Sequence, residues 1–120
     1  MRFAGYAAVF DRADRAGDVI RAGAFGGCRR GAAAVAASRP AVGRIETLAE
    51  DARGLRIAGV IDDSDVAALV ARRAIDGLSV GYRPQVVRQG AQRELLRVAL
   101  AEVSLVAVPM QPLARIERVG

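Results

Sequence analysis

The sequence predicts an α+β, β-rich fold: a mixed, partly closed β-barrel with one main helix. Two observations support this. At least six extended segments alternate with turn residues, and one segment alone shows clear helical spacing of its apolar residues. The chain has 120 residues, 52% of them hydrophobic, which is enough for one domain with its own core. We therefore expect a single domain over residues 1–120.

The extended segments are predicted from apolar runs bounded by Gly, Pro, Asp or Gln. They lie at residues 2–10, 18–20, 41–48, 55–61, 78–87, 92–108 (one bent strand or two) and 113–119. Two further segments are ambiguous. Residues 22–30 could hold a short second helix, although each of three glycines weakens it by about 1 kcal/mol relative to Ala. Residues 31–37 are a small apolar run that could be strand or helix, because periodicity cannot separate the two.

The main helix is predicted to follow residue 62. Asp63 or Ser64 can cap it with a side-chain oxygen, and the apolar residues at 66, 69 and 70 recur at helical spacing. Arg72 and Arg73 fall in the expected last turns, where positive charge suits the helix dipole. Gly77 lies just beyond, where a left-handed residue commonly ends a helix.

Composition excludes several classes of function. All eighteen basic residues are Arg, and the net charge is +5. The arginines are spread along the chain without interleaved stacking aromatics, which argues against nucleic-acid binding and favours solvated strand faces. The single Cys28 can form no internal disulfide and has no metal-ligand spacing around it, so we expect a reducing, cytosolic compartment and neither metal nor cofactor. No apolar run reaches about 18 residues, so no membrane association is expected.

Catalytic chemistry is limited by two missing residue types. The chain contains neither His nor Lys, so the usual general base near neutral pH and the Ser–Lys dyad are both absent. A conventional serine hydrolase therefore cannot be assembled from these 120 residues alone.

Two places nevertheless suggest more than structure. Ser79 lies between two glycines at the predicted junction of helix and strand, although a capping glycine followed by an ordinary strand is the simpler interpretation. Glu102 is the lone acid in a strongly apolar run. It is either a buried functional carboxylate or a residue that faces solvent or pairs with an arginine.

The chain resembles the prohead protease family of tailed phages and gene transfer agents. The resemblance is carried by blocks in family order that span nearly the whole chain. The two strongest are residues 77–82 (Gly-Leu-Ser-Val-Gly-Tyr) and 102–106 (Glu-Val-Ser-Leu-Val). Weaker blocks lie at residues 5–11, 17–20, 23–25, 50–55, 108–109 and 114.

The resemblance implies a herpesvirus-assemblin-like barrel and a capsid-maturation serine endopeptidase. Such an enzyme acts in the host cytoplasm inside the immature capsid and cuts the scaffold segment from the major capsid protein. Ser79 corresponds to the family's nucleophile, Glu102 to the acid of its triad, and Ser38 to the position of its histidine. Proteases of this kind bind substrate as an added strand, and a free strand edge also favours self-association.

Ser38 is a departure from the family pattern, because a serine hydroxyl is too weakly basic to replace imidazole. Three explanations stay open. The chain is a pseudoprotease that serves as an assembly or scaffolding factor; it uses a partner's base or a Glu/Ser relay; or the sequence is an altered or shortened one.

Overall fold

The computed structural model describes residues 1–26, the backbone of 34–36, and residues 41–120. These are β-rich with one short helix. The strands are β1 (Arg2–Val9), β2 (Asp18–Ile20), β3 (Ala34–Ala36), β4 (Gly43–Glu50), β5 (Gly54–Ile61), β6 (Gly77–Gln89), β7 (Arg93–Val106) and β8 (Ile116–Val119), and the helix is α1 (Ser64–Ala71).

All eight strands belong to one sheet. Its order is β2-β7-β3-β4-β5-β1-β8, and β6 pairs with β7 outside this path. The long β7 organises the sheet. It pairs antiparallel with β6 along one edge, and parallel with β2 near its start and with β3 near its end along the other. Residues 92–108 therefore hold one long strand, Arg93–Val106, rather than two.

The strands of the described residues do not close into a barrel, so the predicted partly closed barrel is unconfirmed. One isolated antiparallel bridge, between Gly77 and Arg115, links the start of β6 to the residue before β8. Two backbone hydrogen bonds flank it, from Leu78 N to the carbonyl of Ala114 (3.0 Å) and from Ile116 N to the carbonyl of Asp76 (2.8 Å).

Along β5 and the second half of β7, buried apolar residues alternate with more exposed ones, so the core lies on one face of these strands. β1 differs, because it is buried continuously from Gly5 to Val9. On β6 and β7, Leu78, Leu95, Val103 and Leu105 are almost completely buried. Neighbouring positions, such as Ser79 and Ser104, alternate with them and therefore lie on the opposite face.

The helix begins as the sequence predicts and ends differently. Oδ1 of Asp63 accepts hydrogen bonds from the amides of Asp65 and Val66, so Asp63 is the N-cap. The helix ends at Ala71 with Arg72 as its C-cap, so neither arginine lies inside its last turn. The left-handed residue after it is Arg73 (φ 64°). The prediction that Gly77 ends the helix is wrong, because Gly77 is the first residue of β6.

Both ambiguous segments are partly described. Residues 22–26 form turns, and the rest of the predicted second helix, with Cys28, lies outside the described residues. Within residues 31–37, the backbone of Ala34–Ala36 is a strand. In the part of the chain that is described, no helix has the length and apolar character needed to cross a membrane.

Candidate functional site

Ser79 lies in β6 directly opposite Ser104 of β7. Its neighbours along the strand, Leu78 and Val80, pack toward the core, so the Ser79 side chain is on the other face and is half-buried. The predicted nucleophile position is thus accessible from outside the core.

The segment after β7 folds back over this face. Pro109 is buried against Gly77, where an added Cβ would lie 2.7 Å from its Cδ atom. This contact explains why a glycine is needed at position 77. The next residue, Met110, donates its backbone amide to Oγ of Ser79 at 3.2 Å.

Arg15 fixes this segment in place from the loop after β1. Its amide donates to the carbonyl of Met110 (2.9 Å), and its Nε donates to the carbonyl of Pro109 (3.1 Å). Nε2 of Gln111 also donates to the carbonyl of Arg12 (3.1 Å). The Met110 amide is therefore positioned by contacts on both sides rather than by Ser79 alone.

Glu102 faces solvent on the same side of the sheet as Ser79. It pairs with Gly81, two residues beyond Ser79, and a Cβ at Gly81 would lie 2.8 Å from Cγ of Glu102. The backbones of diagonal neighbours of this kind are typically about 7–8 Å apart, a separation that long side chains can still span. Glu102 is exposed, so of the two interpretations the solvent-facing one is correct. Among the described residues it has no ion pair and no side-chain hydrogen bond.

The structure thus places Ser79 and Glu102 on one face, in diagonal positions. Ser38 lies outside the described residues, and its correspondence to the family histidine stays a prediction. Sequence reasoning missed Met110 and Arg15. Pro109 and Pro112 marked an interruption of the apolar run, but nothing local to them indicates contact with Ser79 or with the loop after β1.

A cavity of about 380 Å³ opens beside Ser79, between β6 and β1; we call it the edge cleft. Its lining comes from β6, β1, the end of β2, the loop between β1 and β2, and the segment after β7. These residues are Ala7, Ala8, Val9, Arg12, Asp14, Ala16, Asp18, Ile20, Ser79, Val80, Tyr82, Val108, Met110 and Gln111.

The backbone of Val80 faces away from β7 and toward this cleft. The amide of Leu78 donates to Ala114, on the side away from β7. Because N–H and C=O groups reverse direction at each residue of a strand, those of Val80 point the same way as those of Leu78. β6 therefore presents backbone hydrogen-bonding groups next to Ser79.

The carboxylates of the cleft are engaged by internal partners. Asp18 accepts two hydrogen bonds from Arg93 (2.9 and 2.8 Å), which lower the pKa of that carboxyl. Oδ1 of Asp14 accepts from the amides of Ala16 and Asp18, both at 2.9 Å. Burial, and then the nearby charges of Asp18 and Asp14, raise the pKa of the Tyr82 hydroxyl, which stays protonated at neutral pH.

The arrangement offers a hydroxyl, a directed amide, a cleft, and a strand edge that no described strand pairs with at Val80. No cluster of metal-ligating side chains occurs among residues whose positions are described. The sequence profile of the family described as Caudovirus prohead serine protease matches residues 1–119. No curated protein matches the chain.

Proposed function

Because the chain belongs to the caudovirus prohead serine protease family, we propose that it is an endopeptidase that processes the scaffold segment of the major capsid protein, with Ser79 as nucleophile. Proteins of this family mature capsids, and the site of action is the procapsid. The observation that carries the proposal is the position of Ser79, on an accessible sheet face beside a free strand edge and a cleft.

The Met110 amide supports the assignment of Ser79. It approaches Oγ as a donor at 3.2 Å, which leaves the hydroxyl hydrogen free to go to a base. A backbone amide beside the attacking oxygen is also a candidate donor to the carbonyl oxygen of the substrate, which becomes negative next to Oγ when the new bond forms. Its anchoring by Arg15 keeps that donor oriented before the substrate arrives.

Removal of the proton from Ser79 is the weak step. Imidazole normally takes this proton and returns it to the leaving amine. Glu102 shares the outer face with Ser79 and Ser104, but a Glu/Ser relay would be weak because a hydroxyl is a poor base. We expect the unassisted chain to cleave only at a residual rate, on the order of a thousand- to ten-thousand-fold above that in water.

The test is cleavage of the cognate major capsid protein with its scaffold segment, followed by mass spectrometry. We expect slow or no cleavage by the wild type and faster cleavage by Ser38→His. The double variant Ser38→His/Ser79→Ala should be inactive. The control Ser38→His/Ser64→Ala, whose second change is at an exposed helix residue, should keep the faster cleavage. Cleavage that persists without Ser79 would refute the assignment.

The missing base favours a second candidate, a pseudoprotease that serves as an assembly or scaffolding factor. If so, the Ser79→Ala variant should still bind the capsid protein and support normal particle assembly. Assembly that fails with Ser79→Ala while capsid binding persists would reject this candidate and support the endopeptidase.

We also propose that the fold is the assemblin type of barrel and that copies of the chain associate. The bridge between Gly77 and Arg115 supports the first, because it links β6, which pairs with β7, to the residue before β8, the last strand of the order. The exposed apolar residues Val86 and Val87 on the outer part of β6 support the second. Sedimentation of the purified chain over a concentration series tests self-association; a constant monomer mass would refute it.

A further inference from the structure

We infer that the edge cleft binds one aliphatic side chain of an extended peptide, next to the bond that Ser79 attacks. This inference rests on the proposed function and adds the substrate class. The depth of the cleft is apolar: Ala7, Ala8, Val9 and Ile20 line it and are each at most 9% exposed. The rim is formed by exposed residues, among them Ala16.

The chemistry of the deep part of the lining selects against a charged side chain, and Arg12, the cation among the lining residues described, is exposed at the rim. The carboxylates of Asp14 and Asp18 already accept hydrogen bonds from backbone amides and from Arg93. In the part of the chain that is described, no buried side-chain nitrogen or oxygen lacks a partner. A charge that entered the deep part would lose its hydration without gaining a partner, whereas an aliphatic group would gain from leaving water.

The shape and position of the cleft favour a peptide strand. Its volume of about 380 Å³ lies at the low end for ligand pockets, suited to one side chain and its backbone rather than to a large cofactor. Val80 offers backbone groups along the same edge, so a peptide can pair there as an added strand. Ser79 lines the cleft itself, so the bound side chain lies near the attacked carbonyl.

The first test is titration of the full-length ¹⁵N-labelled chain with three blocked hexapeptides, Ala-Ala-Ala-Xaa-Ala-Ala, in which Xaa is Leu, Asp or Lys. We expect the Leu peptide to shift the amide resonances of Val80 and Met110, with a dissociation constant roughly tenfold or more below those of the other two. Equal affinities, no binding of the Leu peptide, or shifts confined to other regions would overturn the inference.

The second test blocks the rim. Ala16→Trp should abolish binding of the Leu peptide, because Ala16 lines the rim and a large side chain there would block the cleft. The fold should survive, because Ala16 is exposed and only its backbone contributes a hydrogen bond to the loop. Ala52→Trp, at an exposed position in the turn between β4 and β5, is the matched control and should bind normally. Unchanged binding by Ala16→Trp would contradict the inference.

The same variants separate this inference from the proposed function. Suppose that the capsid protein binds or is cleaved, but neither Ala16→Trp nor replacement of Leu by Asp in the peptide changes binding. The aliphatic site is then wrong and the proposed function stands. If the Leu peptide binds in the cleft while the capsid protein neither binds nor is cleaved, the proposed function fails and the site stands.

Discussion

The backbone amide of Met110 and the hydroxyl of Ser79 lie 3.2 Å apart, joined by a hydrogen bond in which Met110 is the donor. They come from different parts of the chain, and the contact forms because Pro109 packs on Gly77 at the start of the same strand. Ser79 is therefore held by a structural element that follows β7 and not only by its own glycine-flanked strand.

Ser79→Ala removes the only acceptor that the structure gives the Met110 amide among described residues. A hydrogen bond of this type contributes about 0.5–1.5 kcal/mol, so we expect hydrogen exchange at Met110 to become roughly two- to tenfold faster. Amide exchange followed by NMR measures this directly. Ser104→Ala, which alters the serine directly across the ladder, should leave Met110 unchanged; an equal effect of both variants would contradict the assigned contact.

The glycines on either side of Ser79 should differ sharply in their tolerance of a methyl group. At Gly77 an added Cβ meets Pro109 at 2.7 Å and the carbonyl of Val106 at 2.9 Å. We expect Gly77→Ala to lower the free energy of unfolding by about 1–3 kcal/mol. At Gly81 the three atoms nearest to an added Cβ all belong to the side chain of Glu102, which is exposed and can rotate away.

Gly81→Ala is therefore the matched control and should change stability by less than about 1 kcal/mol. Urea denaturation of both variants gives the comparison. Losses of equal size would mean that the contact of Gly77 with Pro109 does not set the requirement for glycine.

The extended segments and the start of the helix were predictable because their signals are local. The alternation of Leu78, Ser79 and Val80 places Ser79 opposite the core, and the carboxylate of Asp63 caps the helix that follows it. The end of the helix was not predictable in this way. Arg73, rather than Gly77, adopts the left-handed conformation after the helix. Gly77 instead lies in β6, where Pro109 leaves no room for a side chain.

The candidate site was only partly predictable for a related reason. Ser79 and Glu102 are marked by their own surroundings in the sequence, as a serine between glycines and as an acid in an apolar run. Met110 and Arg15 act through contacts between residues far apart in the chain, 95 positions from each other, and through backbone atoms that carry no residue signature. The edge cleft likewise exists only where β1 and β6 are brought together.

The N-cap of α1 gives a test of the local signal. Oδ1 of Asp63 accepts from two amides at 2.9 and 3.0 Å. We expect Asp63→Ala to lower the free energy of unfolding by about 1 kcal/mol, the usual loss for an N-cap. Ser64→Ala, one residue later, should change stability much less. Chemical denaturation of the two variants checks this. A larger loss of stability for Ser64→Ala would mean that Ser64, and not Asp63, caps the helix.

Glu94 should make the fold sensitive to acid. Arg88 and Arg21 donate hydrogen bonds of 2.7–2.8 Å to its carboxylate and lower its pKa from the ordinary 4.5 to about 2. Since the folded state holds the ionised form, this contribution is fully present above pH 4.5 and disappears as the pH falls toward 2. Glu94→Gln should therefore be less stable than wild type at pH 7, with the difference shrinking between pH 4.5 and 2.

Urea denaturation of wild type and Glu94→Gln at pH 7, 4 and 2 measures that difference. The control is Glu117→Gln on β8, which removes an exposed ion pair with Arg53. It should have little effect on stability at any of the three pH values. Because Glu94 joins the turn after β2 to both strands of the β6–β7 hairpin, its loss should act first on that hairpin. A stability difference for Glu94→Gln that is constant with pH would contradict the charge-based account and indicate lost packing instead.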